Sequence, residues 1–161
     1  MRILVAYYSL TGNSRGVAQK IAQSLKGHEV AVEEIIPTVP YSLPSAYVLG
    51  GKDAMFKKIV ELEPLQNDAS EFGGLVVVSP CWAWTFTPPI RAFIAKLPQG
   101  GGKPAVAVMM QDGKGDKAVS LLAEALQEKG WNVSAKIFVA GKGGENEAAA
   151  CGQACGAFAK K

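Results

Sequence analysis

The sequence predicts an α/β protein: a three-layer α/β/α sandwich in which a five-stranded parallel sheet carries helices on both faces. Three observations predict it. Apolar runs of strand length alternate five times with segments whose apolar residues recur at helical spacing. Parallel neighbours cannot be joined by a tight turn, so each pair needs a crossover, and the helical segments supply it. The 161 residues fit one domain over 1–161.

Residues 2–8 (RILVAYY) read as a buried first strand. Over 14–26, Val17, Ala18, Ile21, Ala22 and Leu25 fall on one face of a helix, and Gly27 follows as its stop. Residues 29–36 (EVAVEEII) alternate and give a second strand. Residues 37–51 (PTVPYSLPSAYVLGG) hold three prolines and no evident period, so a long loop is expected, whether a lid, a partner-docking loop or an ordered wrap over the sheet, with Tyr41 and Tyr47 able to reach a bound ring or substrate. A short helix is expected over 53–60, with Met55, Phe56, Ile59 and Val60 inward. Residues 74–79 (GLVVVS) are strongly β-branched through three consecutive valines, as in a strand buried on both faces.

Pro88-Pro89 suits the first turn of a helix whose apolar face is Ile90, Phe93, Ile94 and Leu97. Residues 104–110 (PAVAVMM) form the fourth strand. A helix over 116–129 buries Val119, Leu122, Ala123 and Leu126 and stops at Gly130. Residues 132–139 (NVSAKIFV) form the fifth strand, and the last helix, 145–159, turns Ala148, Cys151, Cys155 and Phe158 inward.

Composition narrows the function. Apolar residues make up 48% and charged residues 19%, which favours a folded core over disorder. Net charge is only +3, from 17 basic and 14 acidic residues, so nucleic acid is not an expected partner. No apolar run approaches the roughly 20 residues of a membrane span, and no secretory segment follows Met1-Arg2; a cytoplasmic protein without membrane attachment is expected. Three cysteines do not make a disulfide framework. Cys151 and Cys155, four apart, read as helix positions facing the core, and no metal site is expected.

Ligands of such sheets bind outside the carboxyl ends of the strands, so the loops after strands one, three and four carry the chemistry. After strand one comes Ser9-Leu10-Thr11-Gly12-Asn13-Ser14, opening a helix. Hydroxyls and an amide around a helix N-terminus make an anion cradle without charged side chains. Ordinary capping by Asn13 or Ser14 would need one such residue, not four in six. The segment is neither a Walker A loop nor a G-x-G-x-x-G fingerprint. Gly100-Gly101-Gly102-Lys103 and Gly141-Lys142-Gly143-Gly144 read as turns. After strand three, Pro80-Cys81-Trp82-Ala83-Trp84-Thr85-Phe86 puts three large aromatics into five residues at an edge that is normally exposed, as a planar ligand would require. After strand four, Gln111, Asp112 and Gly113 offer polar groups, with Lys114 beyond them.

Tyr8-Ser9-Leu10-Thr11-Gly12-Asn13-Ser14 resembles the [ST]-x-T-G-x-[ST] phosphate loop of the flavodoxins and flavodoxin-like FMN proteins, and the alternation extends the likeness over nearly the whole chain. The resemblance implies a strand order of 2-1-3-4-5 and FMN as cofactor. It implies that Ser9, Thr11, Gly12, Asn13 and Ser14 hold the phosphate. Trp82 and Trp84 would line the isoalloxazine, with Pro80, Cys81 and Ala83 giving backbone contacts, and Gln111, Asp112 and Gly113 would meet the pyrimidine edge. The carriers of that family often have a glycine after the ring-flanking Trp; here Ala83 stands there and the stretch 80–89 has neither glycine nor carboxylate. That departure implies weaker stabilisation of the one-electron-reduced flavin.

The function expected is that of an FMN-binding redox flavoprotein in electron transfer, handing electrons to a redox partner protein or a small-molecule electron acceptor. The alternatives are an NAD(P)H-dependent FMN or quinone reductase, and a module of the same fold that has lost FMN and serves in protein contact. A phosphate-accepting receiver domain would need acidic residues where Tyr8-Ser9 and Ser79-Pro80 stand.

Overall fold

A computed structural model describes residues 1–111, 116–140 and 146–159, apart from the side chain of Tyr47. The strands are β1 (Arg2–Tyr7), β2 (Glu29–Glu34), β3 (Gly74–Trp82), β4 (Thr85–Phe86), β5 (Pro104–Gln111) and β6 (Asn132–Ala140). The helices are α1 (Asn13–Ser24), α2 (Leu43–Ser45), α3 (Gly51–Met55), α4 (Pro88–Lys96), α5 (Asp116–Glu128) and α6 (Asn146–Phe158). The main sheet runs β2-β1-β3-β5-β6, all parallel, with the two-residue β4 folded back antiparallel on the end of β3. Counting the five parallel strands alone, the order is 2-1-3-4-5, the flavodoxin-like three-layer arrangement.

Alternation along the strands separates two cores. Ile3, Val5, Tyr7, Val76, Val78, Val106 and Val108 face α1 and α6. Leu4, Ala6, Leu75, Val77, Ala105, Ala107 and Met109 face α4 and α5. Because Leu75 to Val78 are buried on both sides, the central strand has no polar alternation. The outer strand β6 takes a bulge opposite Ala105 and Val106, where Ser134 donates its hydroxyl to the Ala105 carbonyl (3.2 Å).

Three expectations are corrected: the loop over 37–51, the helix over 53–60 and the inward placement of Ala148. Residues 43–55 are helical, not a loop: α2, a π-helical turn over Ala46–Gly50, and α3 follow one another without a break. The helix expected over 53–60 ends at Met55. Lys57 takes φ 55, its N–H donates to the Ala54 carbonyl, and the Lys58 N–H donates to that of Asp53, a Schellman ending. Met55, Phe56 and Ile59 are consequently exposed. In α6 the buried stripe is Ala150, Ala154 and Phe158, with Ala148 exposed and Cys151 and Cys155 half-buried beside it. The Cys155 thiol reaches the Ser24 carbonyl at 3.1 Å, tying α6 to α1. No helix among the described residues is long and apolar enough to cross a membrane.

The long crossover from β2 to β3 is held at several points. Thr38 and Glu63 exchange backbone bonds with Glu61 and Ile36, making an isolated antiparallel bridge at Pro37 and Leu62. Glu33, buried on β2, accepts from the backbone N–H groups of Gln66 and Asn67 (2.9 and 3.0 Å) and from the Asn67 amide (2.6 Å).

Candidate functional site

The cleft opens at the carboxyl ends of β1, β3 and β5, where the strand order reverses. It encloses about 330 Å³. Ser9, Leu10, Thr11, Asn13 and Ser14 line one end; Pro80, Cys81, Trp82 and Ala83 line the other; Met110 and Gln111 form the floor, and Leu43, Ala46 and Gly51 the rim. The helical stretch that sequence periodicity missed is therefore one wall. The signal for it was present: Ser42 and Ser45 form a capping box around Pro44.

The first end is built by the start of α1. Its N-cap is Gly12, at φ 95, so no side chain caps the helix, and no acidic residue stands in its first turn. Asn13 and Ser14 lie inside the helix and do not cap it. The Gly12 N–H is taken by Ser9 Oγ (3.0 Å), which holds the loop closed, while the amides at the helix start remain without a side-chain acceptor. A helix N-terminus of that kind carries partial positive charge and free donors, ringed here by the hydroxyls of Ser9, Thr11 and Ser14. Arg15, the cation nearest in sequence, is engaged elsewhere, with Glu34 (2.5 Å) and the Tyr7 hydroxyl (3.3 Å).

The other end is a β-hairpin. Cys81 pairs with Phe86 and Trp82 with Thr85, leaving Ala83-Trp84 as a two-residue loop. Ala83 has φ 49 and Trp84 φ 60. Two positive φ values in such a loop are the geometry that Asn-Gly normally serves, and side chains there cost about 1–2 kcal/mol per residue. Neighbours enforce it. Buried Ser79 accepts from the Thr87 N–H (3.2 Å) where α4 starts, and the Arg91 guanidinium lies over the Phe86 ring at 4.2 Å. Arg91 sits half-buried there, and desolvation pulls its pKa down. Burial pushes the Cys81 thiol up, a hydrogen bond from the Trp84 backbone offsetting part of it, so the thiol stays neutral.

The hairpin separates its two indoles. Trp82 faces the cleft, wedged edge-on between Tyr8 (5.6 Å) and Tyr41 (5.1 Å). The Tyr41 hydroxyl donates to Asp53 (2.8 Å), which fixes it to α3. Burial raises Tyr8 to about 12; burial, then Asp53, raises Tyr41, so both phenols are neutral at physiological pH. Trp84 is outside the cleft lining, 75% exposed. Gln111 turns an amide oxygen into a buried position with no hydrogen-bond partner among the described residues. The expected sites Asp112 and Gly113, and Lys114 beyond them, lie outside the described residues.

Gly50 has a specific steric role. A Cβ there would meet the Trp82 ring at 2.7 and 2.9 Å, and Trp82 cannot retreat between its two tyrosines. Gly50→Ala is expected to cost about 1–3 kcal/mol by overpacking, lowering Tm by several degrees in a thermal melt. Gly152→Ala, in open space on α6, gives no such loss.

The family model that matches the chain is described as NADPH-dependent FMN reductase and covers residues 1–145. No curated protein matches it. Among solved structures, a flavoprotein in complex with FMN from Lactobacillus acidophilus is 22% identical, with TM-score 0.68 over 88% of this chain and 93% of that one. A flavodoxin from the domain Archaea is 20% identical, with TM-score 0.67 over 98% and 94%. Oxidised flavodoxin 2 from Bacillus cereus is 20% identical, with TM-score 0.66 over 98% and 97%. The structures share the fold, and the family match spans both ends of the cleft: the chain belongs to the NADPH-dependent FMN reductase family, FMN-binding flavoproteins of flavodoxin-like fold.

Proposed function

We propose that the protein is an FMN-dependent oxidoreductase that passes two electrons from NAD(P)H to a small planar acceptor. The observation that carries the reading is the uncapped, hydroxyl-ringed N-terminus of α1 facing Trp82 across one cleft. Ser9, Thr11, Gly12, Asn13 and Ser14 would bind the FMN phosphate by hydroxyls, amides and the helix field. Pro80, Cys81, Trp82 and Ala83 would border the ring. The partnerless Gln111 oxygen suits the ring's imide N–H, a donor that the surrounding side chains do not supply. Asp112 and Gly113 adjoin it in sequence.

Bound FMN supplies a ring that takes up and releases electrons singly or in pairs. The chain's own groups bind, orient and exclude water. No described lining residue is charged, and only the Cys81 thiol among them titrates. Nothing in that lining repels the negative charge that accompanies two-electron reduction. In sum, NAD(P)H, a proton and the acceptor give NAD(P)⁺ and the acceptor carrying two hydrogens, the added proton coming from solvent.

Anaerobic stopped-flow mixing of the FMN-loaded protein with NADPH and with NADH tests this. Bleaching of the flavin absorbance without any second protein is expected. A flavin that stays oxidised under both, yet is reduced by dithionite, would leave the protein an electron carrier served by a partner protein.

A further inference from the structure

We infer that Trp84 is the stacking platform for the second substrate, a planar conjugated redox molecule of the quinone or nicotinamide kind, and sets which acceptors the cleft serves. This rests on the reading above and names the substrate-recognition residue of the same site.

Three features converge on Trp84. It sits at φ 60 beside Ala83 at φ 49, positions where glycine and asparagine are at ease and a bulky side chain is an outlier. The strain is imposed, not relaxed, because Ser79, Thr87, Arg91 and the wedged Trp82 hold the hairpin from both strands. The strained residue then gains no burial in return: it is 75% exposed, and the cavity behind it is lined by Ala83 instead. A large apolar ring held in a costly conformation and left in water does nothing for folding. Backbone outliers that a fold over-determines belong to binding and catalytic sites.

Its position states the role. Trp84 follows Ala83, a cleft-lining residue, so its Cα is about 3.8 Å from that of the wall. Its exposed indole, one residue from that wall, leaves a π face free for a second planar molecule that must come close to a ring inside to exchange electrons. Stacking on an indole is sequence- and substituent-tolerant, so the platform selects for flatness rather than for one compound.

The test uses the FMN-loaded protein and two variants that accept positive φ, Trp84→Gly and Trp84→Asn, with Trp84→Phe as the conservative partner. Menadione binding to the oxidised holoprotein, which needs no turnover, is followed by equilibrium dialysis. Both strain-relieving variants are expected to raise Tm by about 2–6 °C, keep FMN affinity within twofold, and weaken menadione binding at least tenfold. Trp84→Phe should retain most of that binding. Menadione affinity unchanged in Trp84→Gly overturns the inference, and so does a loss of FMN affinity above fivefold, which would put Trp84 in the cofactor site. Failure of NAD(P)H to reduce the wild-type flavin sinks the proposed reaction alone, because the binding measurement stands apart from it.

Discussion

Replacing Thr11 and Ser14 together by alanine is expected to weaken FMN binding by roughly 10²–10⁴-fold, measured by quenching of flavin fluorescence in a one-to-one titration. Hydrogen bonds to a charged group are worth about 1.5–3 kcal/mol each, so two removed from a phosphate amount to about 3–6 kcal/mol. The helix field and the backbone amides remain, since Gly12, not a side chain, begins α1. The residual affinity therefore does not vanish. Riboflavin, which has the ring but no phosphate, is the internal control: its weaker binding should be the same in both proteins. A double variant that binds FMN as tightly as the wild type would show that the phosphate lies elsewhere. One that loses riboflavin in the same proportion would show that the two hydroxyls support the fold of the loop, not the ligand.

Much of this end of the site was legible in the sequence because its determinants are local. Four polar residues within six, before an amphipathic run, point to a helix N-terminus with spare donors. What spacing left open was whether Asn13 or Ser14 merely capped the helix; the left-handed Gly12 at the cap decides it. The central parallel strands were equally accessible, since burial on two faces erases polar alternation; their order was implied by the resemblance of the phosphate loop, not by periodicity. The rim was not. Residues 46–50 are π-helical, which breaks the 3.6-residue period, and Pro40 and Pro44 suggest loop although Pro44 only begins α2. Met55, Phe56 and Ile59 misled in the opposite sense: their spacing is helical, yet the Schellman ending at Lys57 leaves them in solvent.

The aromatic loop was legible as a cluster and illegible as an arrangement. Trp82 and Trp84 are two residues apart, which in a continuous strand would put both rings on one face. The chain turns instead between them, so Trp82 enters the cleft while Trp84 leaves it. Nothing in Ala83-Trp84 signals a tight hairpin, because neither residue favours positive φ. The turn is made by distant partners: Ser79 against Thr87, and Tyr8, Tyr41 and Gly50 around the indole.

Glu33 is the residue that periodicity alone would misjudge most, and Glu33→Ala is expected to cost about 2–5 kcal/mol. In a strand reading EVAVEE a glutamate suggests a wet face, yet this one is only 3% exposed. Its two oxygens accept three hydrogen bonds, from the backbone of Gln66 and Asn67 and from the Asn67 side chain. Removing the carboxylate strands two backbone donors in a part-buried loop, each at about 1–3 kcal/mol, and opens a void over the sheet. For a domain with ordinary stability that is a sizeable fraction of the total, and Tm should fall on the order of 10 °C. Glu33→Gln keeps one acceptor but turns an NH₂ toward an N–H, so an intermediate loss is expected. Amide exchange at Gln66 and Asn67 gives the local readout, rising sharply in Glu33→Ala and partly in Glu33→Gln. The same crossover carries Tyr41 and Gly50 against Trp82, so a carboxylate outside the described cleft lining holds one end of the segment that braces its aromatic wall. A Tm change below 2 °C in Glu33→Ala would mean that the Pro37–Leu62 bridge alone fixes the crossover.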